Sequence, residues 1–144
     1  MNVATILKSK GRAVATARAD ATLMDLSCKL AAKKIGAIVV IGEQGKIEGI
    51  MSERDVIRAI AEKGADALNW PVSDIMTRSV VTCHEAATLD ELMEKMTQGR
   101  FRHMPVVDDN EALVGIISIG DVVKHHIAEV EMEVSAMRGY LATG

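Results

Sequence analysis

The sequence predicts a mixed α/β (α+β) fold made of two copies of one β-α-β-β-α unit, and three observations predict it. The first is an internal repeat. Ala21-Thr22-Leu23 recurs as Ala87-Thr88-Leu89, an offset of 66 residues. The same offset, without a gap, brings Leu26 onto Leu92, Lys29 onto Lys95, Val40 onto Val106, Gly49-Ile50 onto Gly115-Ile116, Ser52 onto Ser118 and Asp55-Val56 onto Asp121-Val122. Over residues 21–60 this gives 11 identities in 40 positions, all in one register, which marks a duplicated unit. The second observation is that both copies run through the same alternation of strand-like and helix-like patterns. The third is size: 144 residues, 49% of them apolar, support one shared core, whereas halves of 72 are small for independent domains.

Each copy opens on a short β-prone stretch, Val14 to Thr16 and Val80 to Thr82. Thr22 and Thr88 then suit helix N-caps, and Asp25 and Glu91, three residues on, complete capping boxes. Leu23, Leu26 and Leu30 keep helical apolar spacing, as do Leu89, Leu92, Met93 and Met96. The runs Ala37 to Ile41 and Met104 to Val107 are buried-strand candidates that end in turn-prone Gly42 to Gly45 and Asp108 to Asn110. A second strand follows in each copy, Ile47 to Met51 and Leu113 to Ile117, so each pair forms a hairpin. A second helix begins near Ser52 or Ser118. Pro71 disfavours helix at Trp70 and so marks the boundary, giving copies over residues 1–66 and 67–130 and a helical extension over 131–144. Val3 to Leu7 resembles Val72 to Met76 in placement, with three extra residues within Lys8 to Arg12. The last helix carries Val122, Val123, Ile127, Val130, Val134 and Met137, an apolar stripe that needs the other copy or a partner chain to cover it.

Composition excludes several classes of function. Seventeen basic and twenty acidic residues give a formal charge of −3, divided as +3 over residues 1–66 and −6 over 67–144, which is no footprint for duplex DNA. The three aromatic residues, Trp70, Phe101 and Tyr140, offer no stacking platform for single strands. The longest apolar run, Ala37 to Ile41, falls far short of a membrane span, no signal-peptide pattern opens the chain, and two cysteines make no disulfide framework. A cytoplasmic protein is expected. Cys28 is expected as a small core residue of the first helix rather than a nucleophile. His84, His125 and His126 lack ligand partners at metal spacing, so no metal site is expected.

The most informative motif is Gly-Ile-x-Ser-x-x-Asp, present as Gly49 to Asp55 and Gly115 to Asp121 at the two strand-to-helix junctions. It has two readings. Ser followed three residues later by an acid is a capping box, with Gly relieving crowding. A helix N-terminus also offers N–H donors to a phosphate, and a nearby Asp can accept from a ribose diol. The two roles can coexist.

The ordered set of motifs resembles the cystathionine-β-synthase (CBS) domain, in tandem as a Bateman module. It is carried by Asp74-Ile75-Met76-Thr77, Ala87-Thr88-Leu89, Arg102-His103-Met104-Pro105-Val106-Val107-Asp108 and Leu113 to Asp121, with Thr22-Leu23, Ile38 to Ile41 and Gly49 to Asp55 in the first copy. The resemblance implies two repeats packed about a pseudo-two-fold, with two clefts that take adenine-containing ligands: AMP, ADP, ATP, NAD or S-adenosylmethionine. It implies that Asp55 and Asp121 hold ribose, that Ser52 and Ser118 meet phosphate or ribose, and that the base lies near Val14 or Val80 beside Ile50 or Ile116. It makes Arg102 and His103 phosphate ligands, with Arg54 a second candidate. Gly36-Ala37 stands where the second copy has Arg102-His103, and Val39 where it has Pro105, so the clefts are expected to be unequal, the one served by Asp121 being the stronger. The function expected is a stand-alone adenine-nucleotide-binding sensor, not an enzyme and with no required cofactor. It is expected to form a homodimer and signal to an effector protein. The alternatives are a small nucleotide-processing enzyme using Asp55 or Asp121 with His103, and a structural adaptor with vestigial clefts.

Overall fold

A computed structural model describes residues 1–143. Helix α1 (Val3–Lys10) leads into strand β1 (Thr16–Ala17), helix α2 (Leu23–Lys33) and the hairpin of β2 (Ala37–Ile41) and β3 (Ile47–Ser52). Helix α3 (Glu53–Lys63) follows, and two short 3-10 turns link it to the second copy. There helix α4 (Leu89–Gly99), strands β4 (His103–Val107) and β5 (Leu113–Ser118) and the long helix α5 (Ile119–Thr143) repeat the order. β1 lies parallel to β2, and both hairpins are antiparallel with a register shift at equivalent positions, Val40/Ile41 and Val106/Val107. The hairpin turns meet at an isolated bridge between Lys46 and Ala112, which are themselves repeat-equivalent, so the pseudo-two-fold passes beside this pair.

Local chemistry accounts for the helix starts. Ser52 and Asp55 form the expected reciprocal box, Ser52 N donating to Asp55 Oδ2 at 2.8 Å and Asp55 N to Ser52 Oγ at 3.3 Å, and Ser118 with Asp121 repeats it. Thr88 and Glu91 also complete a box. At Thr22 the structure corrects the expectation: the Thr22 side chain accepts from Asp25 N, and α2 carries that half of the box. The first N–H of α3, on Glu53, donates to Gly36 O, and that of α5, on Ile119, to Arg102 O, so an otherwise unpaired helix donor is satisfied in the same way in each copy. The repeated Lys29 and Lys95 reach back to the carbonyls of Thr16 and Thr82.

The first strand differs between copies. In the first it is Thr16–Ala17, two residues later than the β-prone stretch began; in the second it shrinks to one parallel bridge, Cys83 with Val106. Pro105 explains the loss. Its counterpart Val39 donates its N–H to Ala15 O at 3.2 Å, but proline has no N–H to give the equivalent Val81 carbonyl. The chain at Val81 thereby lacks the bond that ties Ala15 to the first sheet.

Two cores form, and the leading segments are exchanged between them. Val3, Ile6 and Leu7 of α1 pack with Leu89, Leu92, Met104 and Ile117 of the second copy, while Val72 and Met76 complete the first-copy core of Leu23, Leu26, Ile38 and Met51. Equivalent backbone bonds seat both segments: Val3 N to Ala87 O and Ala4 N to Glu85 O, against Val72 N to Ala21 O and Ser73 N to Ala19 O. Gly49 and Gly115 permit this approach. A Cβ on Gly49 would lie 2.6 Å from Met76 Sδ and 2.9 Å from Thr77 O, and one on Gly115 would lie 2.7 Å from Leu7 Cδ2. Crowding is thus one reason for the glycine in each motif.

The expected core placement of Cys28 is corrected. Cys28 is exposed because it falls off the Leu23, Leu26, Leu30 stripe, whereas Cys83 is in the second core, where burial pushes its thiol up to about 11 against a smaller opposing effect of Lys95. Helix α5 runs without a break through Thr143, with Val122 buried and Val123, Ile127, Val130, Val134 and Met137 exposed. None of the described helices is long and apolar enough to cross a membrane.

Two unequal candidate nucleotide clefts

The junctions of the two hairpins with α3 and α5 open onto two clefts. The first, of about 240 Å³, has Ile50, Ser52, Arg54 and Asp55 on one side and Val80, Arg102 and His103 on the other. The second, wider at about 590 Å³, collects Val14, Ile116 and Ser118 and shares His103 and Ala37 with the first. The pairing of an apolar residue of each leading stretch with a motif isoleucine, Val80 with Ile50 and Val14 with Ile116, therefore crosses between the copies. Asp121 belongs to the second cleft through Ser118 and through Lys10, which lines it.

One assignment is corrected. Arg102 lines the Asp55 cleft, not the Asp121 cleft. The hairpins face each other across the pseudo-two-fold, so the start of β4 lies opposite the start of β2: a Cβ on Gly36 would be 3.2 Å from His103 Cε1. A basic residue at the head of one copy's strand thus lines the cleft of the other copy's acid. Sequence order alone paired it with its own.

The Asp55 cleft also gathers residues that sequence reasoning passed over. Arg58 stands three residues after Asp55 on α3, its Nη1 3.7 Å from Asp55 Oδ1, a spacing that was readable as a shared helix face. Arg100 ends α4 in the left-handed region at φ 56°, a conformation costly for any residue but glycine, and this turns the chain into β4 at the cleft wall. No local signal announces it. Phe101 and Val81 add apolar surface.

The two acids are used differently. Asp55 Oδ2 accepts from Ser52 N and Ser52 Oγ (2.8 and 3.0 Å), and its Oδ1 faces the exposed Arg58 at 3.7 Å. Asp121 Oδ2 accepts the same pair from Ser118, at 2.9 and 3.0 Å, and in addition Lys10 Nζ at 2.6 Å. Burial pushes the Asp121 carboxyl up, but the bonds from Lys10 and Ser118 outweigh it and hold the group below its ordinary value. His103, between the clefts, is pushed below its ordinary 6.5 by burial, then by Lys10 and Arg102, with Glu53 and Asp121 acting in the opposite sense.

This duplicated architecture matches a known family. The family model for the CBS domain matches residues 10–62 and again 72–127, and the chain belongs to the CBS-domain family. Among solved structures it is similar to a CBS-domain-containing protein of Agrobacterium tumefaciens, with 48% identity, a TM-score of 0.83 and coverage of 88% of this chain and 99% of that one. It is also similar to a CBS-domain protein of Pyrobaculum aerophilum complexed with AMP, at 28% identity, TM-score 0.75, covering 84% of this chain and 89% of that one. Among curated proteins, a mitochondrial CBS-domain-containing protein of Arabidopsis thaliana is 32% identical, across 99% of this chain and 72% of the relative.

Proposed function

We propose that the chain is an adenine-nucleotide-binding regulatory module whose working site is the Asp55 cleft. The observation that carries this reading is the meeting, in one cleft, of three chemistries that a nucleotide requires. Asp55, beside the start of α3, can accept from a ribose diol through the oxygen its cap does not consume. Ile50, Ala37, Val80 and Val81 form apolar walls for a base. Arg54, Arg58, Arg100 and Arg102 against Glu53 and Asp55 leave a formal excess of two positive charges for phosphate, reinforced by the helix N-terminus. That excess favours ADP and ATP over AMP. The AMP complex of the Pyrobaculum protein supports the ligand class.

The site reads as a binding site rather than a catalytic one. Asp55 Oδ2 accepts both bonds of its helix cap, and among the described residues no hydrogen bond pairs His103 with Asp55 as an acid and base at the arginines. A ligand seated between elements of both copies favours one inter-copy arrangement, by as much as its affinity differs between arrangements. A partner protein would read that arrangement. The exposed stripe of α5 fits pairing with a second copy, and light scattering at micromolar concentration should then give twice 15.5 kDa. A mass of one chain, with and without nucleotide, would remove the dimer from the account.

Thermal-shift measurement tests the ligand class. At 100 times its dissociation constant a nucleotide adds about 2.7 kcal/mol of stability, a shift of several degrees for a chain of this size. ATP and ADP should raise the melting temperature, AMP should do so at higher concentration, and inorganic phosphate should not. No shift with any adenine nucleotide at millimolar concentration would reject the reading.

The pH dependence follows from His103. Because its folded value lies below 6.5, the unfolded chain takes up a proton first on acidification. The stability its neutral ring contributes is complete above 6.5 and is lost as the pH falls. A phosphate beside the ring favours the charged form, so nucleotide binding takes up a proton below about pH 6.5, and affinity rises by up to about tenfold for each unit the ligand lifts the ring. Calorimetry between pH 7.5 and 5.5 should show tighter binding at the acid end. In His103→Gln the ring's share of the slope should disappear, leaving the weakening that protonation of the terminal phosphate itself causes at about pH 6; an unchanged slope would place the phosphate away from this ring.

A further inference from the structure

One difference between the two clefts has an origin visible in the sequence. The leading segments are equivalent at an offset of 69 residues, as Val3 with Val72 and Leu7 with Met76, whereas the bodies that follow are equivalent at 66. The three extra residues lengthen the first lead into the two-turn helix Val3–Lys10, where the second has only a 3-10 turn, Val72–Asp74. That extension ends on Lys10, and its ammonium lies across the second cleft: Nζ donates to Asp121 Oδ2 at 2.6 Å and to Ile116 O at 3.0 Å. In the first cleft the matching carbonyl, Ile50 O, accepts from the Thr77 backbone N–H at 3.1 Å, and no lysine reaches Asp55.

We propose that Lys10 is a built-in occupant of the second cleft that closes it to ribose-bearing ligands and makes the module bind one adenine nucleotide rather than two. The inference rests on the nucleotide reading of the Asp55 cleft. A ribose diol entering the second cleft finds Asp121 Oδ1 outside the cap, as Asp55 Oδ1 is, but the ammonium that bridges Asp121 Oδ2 and Ile116 O neutralises that carboxylate and stands between it and the motif isoleucine, where the ribose must lie. Displacing Lys10 breaks a charge-assisted bond in a half-buried setting, where the Lys10 and Asp121 side chains are only 30% and 20% exposed. The lost bond lowers ribose affinity by about tenfold or more. Lys10 is at the last turn of α1, clear of the core contacts of Val3, Ile6 and Leu7, so its charge is removable without emptying the core.

Calorimetric titration with ATP tests this on the full chain and on Lys10→Met, which keeps the length of the stem and removes the charge, with Lys10→Gln as a second variant should the first be poorly soluble. The chain itself should bind one equivalent. Lys10→Met should bind two, the second at least tenfold tighter than any residual second event in the parent, and adding Asp121→Asn should abolish that second event again. Two equivalents in the parent, or one in both Lys10 variants, would overturn the closure while leaving the Asp55 site intact. No binding by parent or variant would overturn the nucleotide reading and the closure with it.

Discussion

Asp55→Asn should weaken ATP binding by between about tenfold and a hundredfold and leave the protein folded. Hydrogen bonds to a charged group are typically worth about 1.5–3 kcal/mol, and the ribose contact is of that kind. The substitution separates the two roles of the motif. An asparagine oxygen still accepts from Ser52 N, now 2.8 Å from Asp55 Oδ2, so the cap survives in part and costs under about 1 kcal/mol. A purely capping Asp55 would give the reverse, a lowered melting temperature with affinity unchanged. Asp121→Asn is the internal comparison. It should leave ATP affinity near that of the parent, because Arg102 and the other arginines belong to the Asp55 cleft and Asp121 is held by Lys10. Titration calorimetry on the two variants, with melting curves alongside, measures both effects.

The second large effect concerns stability. Leu7→Ala should destabilise the protein by about 2–5 kcal/mol, lowering the melting temperature by roughly 5–15 °C, because Leu7 is 1% exposed and fills the space over Gly115 in the second-copy core. Lys8→Ala, one residue on and exposed, should change little. Denaturant unfolding distinguishes the exchanged arrangement from a dispensable N-terminal arm. A loss below about 0.5 kcal/mol for Leu7→Ala would mean that α1 is not part of the second core.

Much of this was written in the sequence because duplication prints every structural constraint twice. The 66-residue register located both hairpins and the Ser52 and Ser118 caps, since each depends on neighbours in the chain. What escaped depends on contacts between distant segments. The equivalence of the two leads was readable despite the change of offset from 66 to 69, but not that each packs on the other copy's core, nor the role of Lys10 that follows from it. Pro105 was visible as a departure from Val39, but its consequence, an undonated bond to the Val81 carbonyl, required knowing which strand lay alongside. Arg102 was assigned to the wrong acid for a related reason: the pseudo-two-fold carries the head of β4 to the opposite copy's cleft, a step absent from linear order. Cys28 was misplaced by its apolar neighbours, although the Leu23, Leu26, Leu30 spacing already set it off the buried face.

The claim that one cleft does the work is tested most directly by methyl NMR spectra of the isotope-labelled full chain during titration with ATP. The account predicts that the methyl signals of Ile50, Val80 and Val81 shift and saturate with one equivalent, while those of Val14 and Ile116 stay in place. First-order shifts at Val14 and Ile116, with Ile50 and Val80 unmoved, would contradict it.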